Sequence, residues 1–244
     1  MIIPILKENQ VLFHPVLPFE SGSNHLYSFD FTEKNSELSA ELIADTDKFA
    51  AYIRTKLKEN NCKYGIGGYD EHRTLYARSR HFDKDLASPA KEYATERSPE
   101  AEPRRLHLGT DIWGPAGTAV YSPMDGIVHS FAFNNHFGDY GATIILTHLL
   151  NGRGFHTLYG HLSLNSLKNM QPGIRIRKGE IFTEFGMRFE NGNWPPHLHF
   201  QIILDMQGWE GDYPGVCKIS ERDQWLNNCP DPDLILNLNR YIRY

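Results

Sequence analysis

The stretch Pro195-Pro-His-Leu-His-Phe-Gln-Ile-Ile-Leu204 reads as a single β-strand entered through two prolines. On an extended backbone successive side chains point to opposite faces. His197 and His199 therefore share one face, and Leu198 and Phe200 share the other. Two imidazoles held side by side need donors, acceptors or charge compensation. A metal ion meets that need, and so does solvent at a strand end, so this spacing alone leaves both readings open.

Working outward, Arg105-Leu-His-Leu-Gly-Thr-Asp111 places His107, Gly109 and Asp111 at i, i+2 and i+4, again on one face of an extended segment. Gly109, Gly114 and Pro115 argue against a helix here, and Gly109 is expected to leave room for an ion. A third stretch, Thr157-Leu-Tyr-Gly-His-Leu-Ser163, adds His161. Imidazole nitrogen and carboxylate oxygen are ordinary zinc ligands. The three stretches together offer a His, an Asp and a His, with two more histidines nearby. Three protein ligands leave the fourth tetrahedral position to water, the arrangement of a catalytic rather than a structural zinc site, and no cysteine joins the set.

Around these motifs the chain reads as short β segments separated by turn signals. Candidates are Thr118–Tyr121, Gly126–Phe133, Thr143–Leu149, Phe155–Leu162, Ile174–Ile176, Ile181–Phe185 and His197–Leu204. Asn151-Gly152 between the third and fourth predicts a hairpin, because both residues tolerate positive φ. Upstream, Phe49, Ile53 and Leu57 recur every four residues and predict a helix from about Asp45 to Asn60, with Asp45 or Thr46 as cap. Residues 1–35 read as irregular. Tyr64–Phe82 reads as a glycine-led turn running into helix, and 84–104 as a surface connector with prolines at 89, 99 and 103. Beyond Gly208 the chain is loop-like, with Asp231-Pro-Asp-Leu opening a short helix. The expected organisation is residues 1–104 as an N-terminal helical segment and connector, 105–205 as the β domain, and 206–244 as a C-terminal extension packed on it. The fold class is mainly β (α+β), with an antiparallel sheet.

Composition narrows the function. The chain has 244 residues, 40% hydrophobic and 23% charged, enough to bury a core without staples. A net charge of −5 and no basic stripe argue against nucleic acid or an anionic membrane. No run of ~18 apolar residues occurs, so no membrane span is expected. The opening MIIPILKENQ has neither a basic leader nor an apolar run of signal length, so the expected location is cytoplasmic, or the cell envelope if the start site is misassigned. Cys62, Cys217 and Cys229 are scattered; a Cys217–Cys229 disulfide stays open, but free buried thiols are the expectation.

The order HxxxD, YxHL, HxHF resembles the lysostaphin- and LytM-type zinc endopeptidases that cut peptidoglycan cross-links. Asp125-Gly-Ile-Val, Phe137-Gly-Asp-Tyr-Gly141, the hairpin at Asn151-Gly152 and Gln171-Pro-Gly…Arg177-Lys-Gly179 extend the resemblance over about residues 105–205. It implies an antiparallel β fold with one Zn²⁺ per chain in an open groove. His107, Asp111 and His199 match the family's metal ligands, and His161 and His197 its catalytic histidines. The implied reaction is metal-assisted amide hydrolysis with a neutral-to-basic pH optimum, on a peptide or muropeptide. Two departures stand out: Gln201 replaces the acid of the usual HLHFE, and Asn193-Trp-Pro-Pro replaces a small pair before His197. Trp113, Trp194 and Trp209 are candidates to line the groove, with the His136 loop as another wall. Two alternatives stay open: a cytosolic metallohydrolase of this fold acting on another amide, and a non-catalytic regulatory protein. Residues 1–104 carry His72 and His81, which would make that segment inhibitory if either reached the metal.

Overall fold

The computed structural model describes residues 2–83 and 102–243. The expected connector at 84–104 lies mostly outside them. The described residues build a nine-stranded sheet and two small two-stranded ones, Ala119–Tyr121 with Ile181–Glu184 and Leu106–His107 with Val216–Cys217. The order of the large sheet from edge to edge is Ile242–Arg243, Leu26–Phe29, Tyr64–Gly67, Thr110–Trp113, His197–Ile203, Arg153–Leu162, Gly141–Leu150, Gly126–Asn134 and Arg175–Ile176. The architecture is mostly β with few helices, as expected.

The large sheet is mixed rather than antiparallel throughout. Every pairing from Tyr64–Gly67 to Arg175–Ile176 is antiparallel. The Leu26–Phe29 strand instead runs parallel to both of its neighbours. Parallel neighbours need a long crossover, and the helix Thr46–Glu59 lies in the one joining Leu26–Phe29 to Tyr64–Gly67. That helix matches its predicted span. The Asp45 side chain accepts from the backbone N–H groups of Asp47 and Lys48, and Phe49, Ile53 and Leu57 form the buried stripe. The hairpin also forms as predicted, with Asn151 at φ 48° and Gly152 at φ 75°, joining strands 141–150 and 153–162.

The N-terminal segment departs most from its reading. Ile2–Glu8 is a helix and Leu26–Phe29 a strand where irregular chain was expected. Pro4 does not prevent the helix, since the first turn has no N–H partner to lose. Tyr64–Gly67, read as a turn, is a wholly buried strand, followed by 3₁₀ turns at Thr74–Arg78 and Arg80–Asp83. Its glycines serve close approach rather than reversal. A Cβ on Gly65 would stand 2.2 Å from Phe29 Cε2, and one on Gly67 2.8 Å from Arg73 Nη2. In the C-terminal extension, helix Asp233–Leu236 forms as predicted, while helix Arg222–Asn228 and strand Ile242–Arg243 are additional.

Core packing joins the segments. Phe29, Phe31, Phe49, Ile53 and Leu57 from the N-terminal part form one cluster with Trp113, Trp194 and Val216. A second, built on Leu106, Leu108, Tyr140, Leu158 and Ile203, takes in Tyr213, Cys217 and Cys229. All three cysteines are free and buried. Among the described residues no helix is long and apolar enough to cross a membrane.

Candidate metal and catalytic site

Antiparallel pairing sets the site. His199 lies opposite Asp111 in the register between strands 197–203 and 110–113, and opposite Gly160 on the other side. His107 reaches the same point from the short strand Leu106–His107, which pairs with Val216–Cys217. His107 Nε2 is 3.0 Å from His199 Nδ1 and 3.3 Å from Asp111 Oδ1, and His199 Nδ1 is 3.0 Å from that same oxygen. All three residues are buried, and they are the one group among the described residues whose His, Cys, Asp or Glu atoms converge closely enough to hold a metal ion.

The other nitrogen of each ring decides what these contacts mean. His107 Nδ1 faces the Gly68 carbonyl at 2.9 Å. His199 Nε2 faces Gln201 Oε1 at 2.9 Å, and the Gln201 amide is oriented by donating to the Pro214 carbonyl and Cys229 Sγ. Both rings donate their single N–H away from the site. His107 Nε2, His199 Nδ1 and the Asp111 carboxylate therefore aim three lone pairs at one point. Three lone pairs aimed at one buried point repel one another unless a cation sits among them, and Arg73 meets Asp111 through Oδ2 rather than through the Oδ1 that faces the two rings. The donor set, two imidazoles and a carboxylate, fits zinc.

Burial holds His107 down at about 4, with the Arg73 charge adding to the effect. Burial opposes ionisation of Asp111, but His107 and Arg73 together hold its carboxyl well below the usual range. Gly109 has a different task from the one expected. A Cβ there would lie 2.4 Å from His199 Cε1, so the space it leaves belongs to the ligand's ring, not to the ion.

His161 and His197 sit beside the ligands, their rings 4.0 Å apart. His197 also stacks on Trp113 at 4.0 Å, and its Nε2 is 4.0 Å from Asp111 Oδ1. His197 Nδ1 donates to the Pro195 carbonyl and His161 Nδ1 to the Asn191 carbonyl, leaving each Nε2 as an acceptor. Burial pushes His197 down to about 4 and lowers His161 well below its ordinary value, with the neighbouring His197 as second cause. Both rings are neutral near pH 7.

His161 owes its aim to an irregularity. The register between strands 141–150 and 153–162 slips between Ala142 and Ile144, and His161 there has φ 63°, in the left-handed region. A bulge re-aims a side chain that a regular strand would send elsewhere, at some backbone cost.

Asp111, His161, His197 and His199 line a cavity of about 450 Å³. Trp113, Trp194 and the loop from Phe133 to Tyr140 line it as expected, but Trp209 does not and packs on Tyr213 instead. The N-terminal segment adds Leu75, Tyr76, His81 and Phe82 to the lining. His72 is exposed, and His81 faces Asp139 at 3.9 Å in the wall. Neither belongs to the ligand group. Burial, with Asp212 beside it, raises the Asp139 carboxyl to about 7. The sequence alone does not disclose Arg73 and Glu71 behind Asp111, Asn191 behind His161 or Tyr140 beside His199. Tyr140 lies within the Phe137–Gly141 turn motif, whereas nothing in the run from Arg73 to Arg80 singles out Arg73.

Residues 105–210 match the profile of peptidase family M23. These residues form an M23 domain. Two relatives from Vibrio cholerae align with it: peptidoglycan DD-endopeptidase ShyC, 29% identical over 102 residues, and peptidoglycan DD-endopeptidase ShyA, 31% identical over 113. The alignments take in 41% and 42% of this chain but only 21% and 24% of those proteins. The catalytic domain of lysostaphin from Staphylococcus simulans aligns with 50% of this chain and 80% of its own, at 23% identity and a TM-score of 0.34, too low to add weight. The M23 match ends near Glu210, so the Pro214 carbonyl and Cys229 that orient Gln201 lie beyond it, as do Gly68, Glu71 and Arg73 before it.

Proposed function

We propose that this chain is a zinc-dependent endopeptidase hydrolysing peptide bonds of peptidoglycan, in cross-links or stem peptides. The observation that carries the reading is the convergence of three lone pairs from His107, Asp111 and His199, with both ring N–H groups turned away. The names of the two Vibrio relatives support the substrate class.

His107, Asp111 and His199 would hold one zinc ion. Bound there, zinc supplies Lewis-acid polarisation to an amide carbonyl and to the attacking water. The remaining chemistry belongs to the chain. His161 and His197 present unprotonated Nε2 atoms, so either accepts a proton from water. Once protonated, His197 stands 4.0 Å from Asp111 Oδ1, which stabilises the imidazolium until its proton passes to the leaving amine. A protonated ring beside the developing oxyanion stabilises it in turn. Because acid protonates the same rings and burial has pushed His197 down to about 4, the rate should hold through neutral pH and fall as the pH drops toward 4.

The test pairs metal analysis with digestion of purified peptidoglycan and free muropeptides. The expected result is near-stoichiometric zinc and release of cleaved peptides, with His161→Ala and His197→Ala each keeping zinc and losing about 10²–10⁴-fold in rate. Zinc without cleavage of either material would remove the peptidoglycan reading. A chain that takes up no zinc would remove the enzyme reading with it.

A further inference from the structure

Arg73 is a fully buried guanidinium that the M23 match does not include. Its Nη1 donates to Asp111 Oδ2 at 2.5 Å and to the Tyr76 hydroxyl at 3.3 Å. Nε donates to Glu71 Oε2 at 2.6 Å and Nη2 to the Gly68 carbonyl at 3.1 Å, while the Phe31 ring packs 5.3 Å away. Backbone bonds fix the segment that carries it. Asp70 N–H donates to the His107 carbonyl, His107 N–H to the Glu71 carbonyl, and Arg73 N–H to the Arg105 carbonyl.

Two features connect this group to the metal centre rather than to packing alone. The two oxygens of Asp111 are divided: Oδ1 faces His107 and His199, and Oδ2 faces Arg73. A carboxylate with one oxygen taken by an arginine offers a metal only the other. Second, the Gly68 carbonyl accepts from both Arg73 Nη2 and His107 Nδ1. One side chain thus steadies the carboxylate ligand directly and the anchor of an imidazole ligand besides. Glu71 alone could serve as counter-ion two residues away, so charge compensation does not by itself require the reach to Asp111.

We infer that Arg73 is a positioning residue of the metal centre, fixing Asp111 as a one-oxygen ligand and, through Gly68, holding the ring of His107. The inference rests on the reading of His107, Asp111 and His199 as zinc ligands. It places part of the metal site in the N-terminal segment.

Zinc affinity of the full chain, measured by chelator competition at pH 7.5, tests it without reference to activity. Arg73→Met is expected to bind zinc about 10–100-fold more weakly than the unaltered chain, the usual effect of removing a ligand's outer partner. Arg73→Lys keeps the charge but not the planar fork, and is expected to fall between the two. Ile53→Ala, in the helix stripe and outside the metal ligands and the cavity lining, controls for general destabilisation: its Tm drops but its zinc affinity stays. If Arg73→Met binds zinc within threefold of the unaltered chain, or Ile53→Ala weakens zinc as much, the role is structural and the inference fails. Should Arg73→Met not fold, Arg73→Lys is read by the same threefold limit. If the unaltered chain binds no zinc, the ligand reading itself fails and takes this one with it.

Discussion

The stretch from 105 to 210 and the segments flanking it divide the site's work unevenly. Every group aimed at the metal point, His107, Asp111, His161, His197 and His199, comes from the M23 domain. Much of what holds those groups comes from outside it. The Gly68 carbonyl sets the tautomer of His107, Arg73 takes the spare oxygen of Asp111, and Pro214 with Cys229 orients the Gln201 amide that sets His199. Phe31 and Phe49 pack on Trp113, the ring on which His197 stacks. Chemistry and support are thus encoded in different parts of the chain. The chemistry follows a spacing, whereas the support follows from which surfaces happen to meet.

The largest test of that division is to remove one side of it. A chain starting at residue 103 loses the Tyr64–Gly67 strand, so the Thr110–Trp113 strand becomes an edge, and loses the packing on Trp113. The truncation uncovers a strand edge and strips most of one core cluster, a large loss for domains usually stable by only about 5–15 kcal/mol. The expected outcome is no cooperative thermal transition by circular dichroism and no zinc retained. Cooperative melting of residues 103–244 with zinc bound would show that the M23 domain stands alone and that the flanks only decorate it.

This division also explains what could be read in advance. The hairpin at Asn151-Gly152, the stripe of helix Thr46–Glu59 and the strand carrying His197 and His199 are local patterns, and each follows from side-chain periodicity or turn chemistry. Local patterns cannot show the parallel pairing of Leu26–Phe29 with Tyr64–Gly67, because four-residue strands carry too little periodicity and Gly65 and Gly67 look like turn residues until Phe29 and Arg73 are seen against them. The same limit hid Arg73, which becomes distinctive only once the fold carries it to Asp111. His161 was recognisable as a histidine in a motif, but the bulge and positive φ that aim it depend on tertiary context. At Gly109 the sequence implies open space correctly, but the ring of His199 fills it rather than the ion.

Gly109 gives a smaller test, this time within the M23 domain. In Gly109→Ala the new methyl would sit 2.4 Å from His199 Cε1 and 2.9 Å from the Phe200 carbonyl oxygen. Relief requires the ring or the strand to move, at about 1–3 kcal/mol. Because the ring that moves is a proposed ligand, zinc affinity should fall along with Tm, in chelator competition and thermal melting run on one preparation. A fall in Tm with unchanged zinc affinity would mean that the strand yields and the ring keeps its place.

The smallest effect lies farther from the metal, on the same sheet. His148 is buried, its Nδ1 facing the Asp125 carbonyl at 2.9 Å and its Nε2 the Thr157 hydroxyl at 2.7 Å, and burial pushes its pKa down to about 4. A histidine lowered on folding takes up its proton more readily in the unfolded chain, whose value is about 6.5. Its contribution is therefore complete above about pH 6.5 and is lost as the pH falls toward 4. Over the unit from 6.5 to 5.5 the loss is about 1 kcal/mol. His148→Gln should be less stable than the unaltered chain at pH 7.5 but should lose about 1 kcal/mol less over that unit, as measured by urea unfolding of zinc-free protein at each pH. Parallel pH profiles for the two chains would mean that His148 is not held neutral by its burial. The acid sensitivity would then belong to other groups, the site histidines among them.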